Sequence, residues 1–414
     1  MCSIFNKCFC CAGKWCWFCI WIPFALWGIK KKSYAKIGYV MFSFFWVLFA
    51  FSLLFTAKEV FEWTKDYIDW PEGGTSWFGT SASFRMSFVL MLFHICILIL
   101  ILPRAKWSAY IHDGLWVFKF LAVFSAFVIT FFIPNSFFRA YGWFALVVSF
   151  FFLVFQGVMI IGFSYTINSA LIGDEEGGKS YLGVLLLLAI IFGSISLLFT
   201  ILKFVWFHDC WANNLVILVP VGFWVAYIVL VILRTRQSAS LFTSSVIVTY
   251  LVYLGWSGLQ QRPSESCNEL FRDETATVFQ VLVALGITFT VLILLASGIK
   301  SKDDPENKFN KALEEDDDED QVSEDDENGE KQESQVYPVS QASIIFHSFM
   351  IVVSIYYWML ISNWGRPTID DDDYDYFIDE WAGFWVKIIA QWTVGGLYTF
   401  SLIAPKILKN REFN

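Results

Sequence analysis

The sequence predicts an all-α, polytopic membrane protein of about ten transmembrane helices, and three observations carry that reading. Hydrophobic residues fill 57% of the 414 positions and aromatic residues 20%, well beyond a soluble domain. Apolar runs of about twenty residues, the length of helix that crosses a bilayer, recur along the whole chain. One run is too long. Between Tyr141 and Ile172 there is neither a proline nor a charged residue, and as a helix it extends about 48 Å against a hydrocarbon core of about 30 Å. Such a helix tilts, kinks or pushes its ends into the headgroup layer. Nothing in it obliges a kink, so we expect a steep diagonal with a groove on either side.

The chain opens on a cytoplasmic, cysteine-rich and interfacial segment, 1–37. Six of the nine cysteines lie in it (Cys2, Cys8, Cys10, Cys11, Cys16, Cys19). S-acylation and a plain apolar surface both suit them, whereas a zinc site lacks a nearby histidine. Residues 15–29 are too short to span comfortably, are rich in Trp and end in Lys30-Lys31-Lys32. They read as an interfacial or re-entrant segment rather than a removable signal. Spans follow at 38–57, 84–102, 114–133, 141–172, 181–203, 213–233, 241–260, 277–298, 341–361 and 381–405. The first eight occupy 38–299, and the last two share 341–414 with a C-terminal tail.

An even number of spans puts both termini on one side. Lys36, Arg104, Lys106, Arg234, Arg236, Lys406, Lys409 and Arg411 share that side, so the positive-inside rule makes it cytoplasmic. The insert 300–340 carries Glu314-Glu315-Asp316-Asp317-Asp318-Glu319-Asp320 and little that is apolar. It cannot bury a core, and we expect a disordered cytoplasmic loop that supplies much of the net charge of -9. The opposite loop 364–380 clusters Asp370, Asp371, Asp372 and Asp373, without the spacing of an EF-hand. On that same outer side Cys210 and Cys267 fall in two loops where the medium is oxidising, which suits a disulfide; two free thiols are the alternative.

The span 241–260 is the most polar. Ser245, Thr249, Tyr253, Trp256, Ser257 and Gln260 recur at helical spacing and share a face. Hydroxyls in lipid either bridge helices or line a wet groove. Continuation of the stripe into Gln261-Arg262 favours a groove that a lipid headgroup follows. Lys119 and Lys387 lie inside spans without a buried carboxylate to pair with, so lipid phosphate and snorkelling both suit them; for Lys203 snorkelling is the better reading. No enzyme emerges: His94, His112, His208 and His347 lack an acid partner within a span, His112-Asp113 reads as a helix cap, and His347 reads as a satisfied packing residue. No nucleophile motif, metal cluster, P-loop or cofactor fingerprint is present, and no basic stripe offers itself to nucleic acid.

Ser244-Ser245-Val-Ile-Val-Thr-Tyr-Leu-Val-Tyr-Leu-Gly-Trp256-Ser257, followed by Pro263-Ser-Glu-Ser-Cys267-Asn268, resembles the serine incorporator (Serinc) family. So do His112-Asp-Gly-Leu-Trp-Val-Phe-Lys119, Phe132-Ile-Pro-Asn135, Ser362-Asn-Trp364 before Arg366-Pro367, and Trp381-Ala-Gly-Phe-Trp-Val-Lys387-Ile. Where the family shows Trp-Asn-Glu, this chain reads Ile167-Asn168-Ser169, which puts any role of that acid in question. The resemblance implies two helical bundles joined by a long tilted helix. It also implies movement of phospholipids between leaflets and support of serine incorporation into phosphatidylserine and sphingolipids.

The combined expectation is a non-enzymatic lipid-handling protein of a secretory-pathway membrane. Ser245, Thr249, Tyr253 and Ser257 hydrogen-bond a headgroup, Lys119 or Lys387 attracts its phosphate, and Trp256 brackets its end. Partners are membrane phospholipids, with further copies of the chain or lipid-synthesis enzymes as possible company. A small-solute transporter and a scaffold for lipid-synthesis enzymes are the rival readings.

Overall fold

The computed structural model describes residues 35–64, 74–172, 181–233, 239–270, 274–298, 339–364 and 380–407. The cysteine-rich start, nearly all of the acidic insert and the Asp370–Asp373 cluster lie outside them. The described elements are helical: α1 Ala35–Phe55, α2 Ala57–Thr64, α3 Gly74–Ile101, α4 Lys106–Asp113, α5 Trp116–Thr130, α6 Asn135–Ile172, α7 Leu182–Phe207, α8 Trp211–Ile232, α9 Leu241–Gln260, α10 Glu274–Gly298, α11 Gln341–Ile361 and α12 Glu380–Ile407, with a single 3-10 turn at Glu265–Cys267.

Eight of these helices are long and apolar enough to cross a bilayer, and α4 with α5 forms a ninth candidate bent by 72°. The break falls on Gly114 and Leu115, and Leu115 takes the left-handed conformation at φ 57, a state that costs a residue with a β-carbon about 1–2 kcal/mol. The tenth expected span is α12, which has the length but spends several positions on polar side chains directed at α9. The oversized run is one unbroken helix, α6, of 38 residues, about 57 Å at the usual rise. It begins six residues earlier than the apolar run because Ser136 and Arg139 join its first turns.

Contacts group the chain into two compact units: 1–49, 88–132 and 292–354 in the first, and 50–87, 133–291 and 355–414 in the second. In the first, α1, α3, α4, α5 and α11 pack through aromatic rings. Tyr39 is the hub, within 4.5 Å of the His347 ring, 5.0 Å of Trp116 and 5.2 Å of His112, centroid to centroid.

The second unit is built around α9, which packs on α6, α7, α8 and α12. Ser240 opens α9 with a reciprocal cap: its hydroxyl accepts from the Thr243 amide at 3.3 Å, and the Thr243 hydroxyl accepts from the Ser240 amide at 3.1 Å. Burial then runs all round the helix. Close approach to α12 depends on Gly255 and Gly258, because a β-carbon there would stand 2.5 Å from the Gln391 amide nitrogen and 2.6 Å from Ile388 Cδ1. Small residues at such crossings are how helices in lipid gain packing energy.

Beside α9 the loops are tied together. Cys210 and Cys267 form a disulfide across 57 residues, so the expected pairing stands. The buried Asn213 side chain donates to Phe207 O at 2.9 Å and to Cys267 O at 2.7 Å, and accepts from Arg262.

Two outcomes follow for stability. Replacing Cys210 and Cys267 by Ser should remove about 2–4 kcal/mol, read as a fall in the thermal midpoint that reductant reproduces in the parent chain. Gly258→Val should cost about 1–3 kcal/mol by overpacking against Ile388, whereas Gly222→Val, at a position open to 4 Å, should leave the midpoint in place.

Candidate functional site

The polar stripe of α9 works in two ways at once. Thr249 Oγ1 donates to its own helix at Ser245 O (2.8 Å), lies 3.1 Å from Phe192 O of α7, and shares a hydrogen bond with Ser196 Oγ at 2.9 Å. Ser245 is buried against Gly193 of the same helix. Further along, Ser257 Oγ accepts from Gln280 of α10 at 2.6 Å, and its carbonyl accepts from Lys387 Nζ of α12 at 3.0 Å. Tyr250 continues the network, donating to Leu153 O at 2.9 Å, with Gln156 Oε1 at 3.1 Å. These hydroxyls bridge helices, as their setting requires.

A cavity of about 230 Å³ lies on the same face, between α6, α7, α9 and α10. Its walls are mainly apolar, with Ile160, Phe192, Ile195 and Phe199 opposite Thr249, Tyr253 and Trp256. Such a volume favours an apolar guest over water. A second pocket of about 10 Å³ shares Tyr253 and Gln280 and adds Ser257, Trp364 and Lys387. Tyr253 and Gln280 therefore stand where the larger cavity and the smaller pocket meet. Trp256 packs edge-on against Phe199, Trp206 and Phe207.

The lysines differ from one another. Lys387 is buried and lies 4.9 Å from the ring centroid of Trp364, whose left-handed backbone at φ 64 brings its indole there just beyond α11. Lys119 belongs to the first unit. Its ammonium donates to His112 O at 2.8 Å and lies over the rings of Trp116 at 4.3 Å and Tyr39 at 4.7 Å. The structure thus gathers Ser245, Thr249, Tyr253, Trp256, Ser257 and Lys387 along one helix and its neighbours, and sets Lys119 in a separate unit. Lys203 departs from expectation. Instead of snorkelling it is fully buried, and its Nζ has no hydrogen-bond partner, because α7 continues one turn beyond it and Phe207 packs into the core.

His347 is not solitary either. Its Nδ1 meets His94 Nδ1 at 3.1 Å, and His94 Nε2 meets Ser43 Oγ at 3.0 Å. His112 Nδ1 bonds its neighbour Asp113 at 2.6 Å. Three of the four histidines therefore converge in the first unit, from helices far apart in sequence. Sequence reading also passed over Gln156, Gln280, Gln391 and Arg85, each buried within a helix of the second unit. An amide or guanidinium inside an apolar run was the available signal. Arg85 donates to Ser81 O and Ile133 O, both at 3.3 Å, and stacks 4.5 Å from the Phe138 ring.

Comparison with known proteins agrees with this architecture. The family described as "Serine incorporator (Serinc)" matches residues 8–411. "Probable serine incorporator" of Dictyostelium discoideum is 27% identical over 292 residues, covering 67% of this chain and 69% of that protein. "Serine incorporator 3" of Bos taurus is 27% identical over 395 residues, with 80% of each chain covered. "Serine incorporator 2" of Homo sapiens is 26% identical over 342 residues, covering 75% of this chain and 73% of its own. With the family match running through every helix described above, this chain belongs to the serine incorporator family.

Proposed function

We propose that the protein handles membrane lipids, letting phospholipids pass between leaflets without ATP, and that it thereby supports serine incorporation into phosphatidylserine and sphingolipids. The observation that carries this reading is the cavity of about 230 Å³ bordered on one wall by Thr249, Tyr253 and Trp256. An acyl chain suits its apolar side, and a headgroup needs hydrogen-bonding groups that recur along the path, which the stripe from Ser245 to Ser257 supplies. Lys387, beside Ser257 and Tyr253 in the adjoining pocket, draws phosphate toward the far end of the stripe, and Trp256 brackets it. Lys119 plays the corresponding part in the first unit. No bond is made or broken in this reading, so the protein acts as a passage and not as an enzyme. It resides in a secretory-pathway membrane with both termini in the cytoplasm. Its partners are phospholipids, with further copies of itself or lipid-synthesis enzymes as company.

Reconstitution in vesicles containing a fluorescent phospholipid tests the proposal. A membrane-impermeant quencher should remove about half of the signal from empty vesicles and nearly all of it when the protein is present. Loss equal to that of empty vesicles would exclude leaflet exchange. Val283→Phe and Val246→Phe both intrude on the cavity and should slow exchange several-fold at an unchanged thermal midpoint. Parent-like rates in both would detach the cavity from the activity.

A further inference from the structure

Lys203 sits on the buried stripe of α7 that also carries Ser196, Thr200 and Phe207. Its ammonium is out of reach of water and has no hydrogen-bond partner. Among the described residues no carboxylate forms an ion pair with it. A desolvated cation is held only by acceptors that replace the water it has lost. Gly255 on α9 leaves its side-chain place to Gln391: a β-carbon there would stand 3.4 Å from Lys203 Nζ and 2.5 Å from Gln391 Nε2. Gln391 spends its amide N–H on Leu251 O at 2.8 Å, and its Oε1 is buried without a partner.

A second unpartnered donor lies close by. The indole N–H of Trp256 is buried and unbonded, while its ring packs edge-on against Phe199 and Phe207. These flank Lys203 by one helical turn on either side, so the Trp256 ring covers the stretch of α7 from which Lys203 projects. The same ring lines the 230 Å³ cavity. The Trp256 ring thus lines the cavity and packs on the stretch of α7 that carries Lys203, and neither the cation nor the indole N–H has an acceptor.

We propose that Lys203 is a further anion-binding residue of the second unit, besides Lys387, receiving one oxygen of a phosphate group while the Trp256 indole, swung from its packed position, donates to another. Phosphate suits this pair because a single group presents several oxygens, enough for two donors on different helices. An apolar tail attached to it has the cavity alongside. The phosphate belongs to a lipid headgroup or is free in solution. The inference rests on the lipid-handling reading only for the first of these sources.

The experiment uses the full-length chain with Lys203→Met, which keeps the length of the side chain and removes its charge, and Lys203→Arg, which keeps the charge. In vesicles, exchange of fluorescent phosphatidylcholine is measured against fluorescent glucosylceramide, which has no phosphate. In detergent, the thermal midpoint is measured after inorganic phosphate replaces chloride at equal ionic strength. K203M should lower the ratio of phosphatidylcholine to glucosylceramide exchange at least five-fold, and K203R should restore most of it; this identifies the headgroup as source. A midpoint raised by phosphate in the parent chain and not in K203M identifies free phosphate. A parent-like K203M in both measurements overturns the proposal. If the parent exchanges neither lipid, the lipid-handling reading falls, and the phosphate-dependent midpoint still decides the role of Lys203. Should K203M fail to fold, Lys203→Gln, which also removes the charge, takes its place in both measurements, and a parent-like result in both overturns the proposal.

Discussion

Hydrocarbon offers no hydrogen bonds, so each polar group placed inside an apolar helix has to find its partner on the protein. In this chain that requirement is concentrated on α9. Thr249 reaches α7, Tyr250 reaches α6, and Ser257 receives both α10 and α12. The bonds fix which helices are neighbours and in which register, something that apolar packing between Leu and Phe surfaces leaves loosely defined. The two glycines that face α12 then set how close the backbones come. Without that approach Gln391 could not reach the Leu251 carbonyl, since its amide occupies the place of a missing side chain.

The same constraint explains why an opening survives next to so dense a network. Once the hydroxyls of α9 are used between helices, the remaining wall toward α6 and α10 is apolar and has nothing to draw water in. A polar seam beside a greasy hollow is the arrangement an amphiphile requires. Tyr253 marks the junction, touching the hollow on one side and the pocket of Lys387 on the other.

The expected spans were legible because apolar length is a strong signal: each has its helix, and eight of these helices are long and apolar enough to cross a bilayer. Several ends were not, because a polar or charged residue marks the limit of an apolar run without marking the limit of a helix. α3 begins at Gly74, ten residues before the expected start, with Thr80, Ser81 and Ser83 buried in its early turns. α7 runs to Phe207 and carries Lys203 inside it. The stripe on α9 was legible from spacing alone, and the disulfide from the placement of two loops. What spacing cannot report is the partner. That Thr249 would meet Ser196, or that His94 would meet His347, 253 positions away, depends on which helices are adjacent, and no periodicity within one helix encodes it.

The bend between α4 and α5 turns on Leu115, a residue whose own backbone preference opposes the left-handed geometry it holds. Such a corner is maintained from outside. Tyr39 and Lys119 both donate to the carbonyl of His112, at 2.8 Å each, so two helices clasp the last turn of α4 a few residues before the corner. The angle between α4 and α5 is consequently a property of that clasp and not of the intervening peptide, and a change that released the His112 carbonyl would free the corner to unbend.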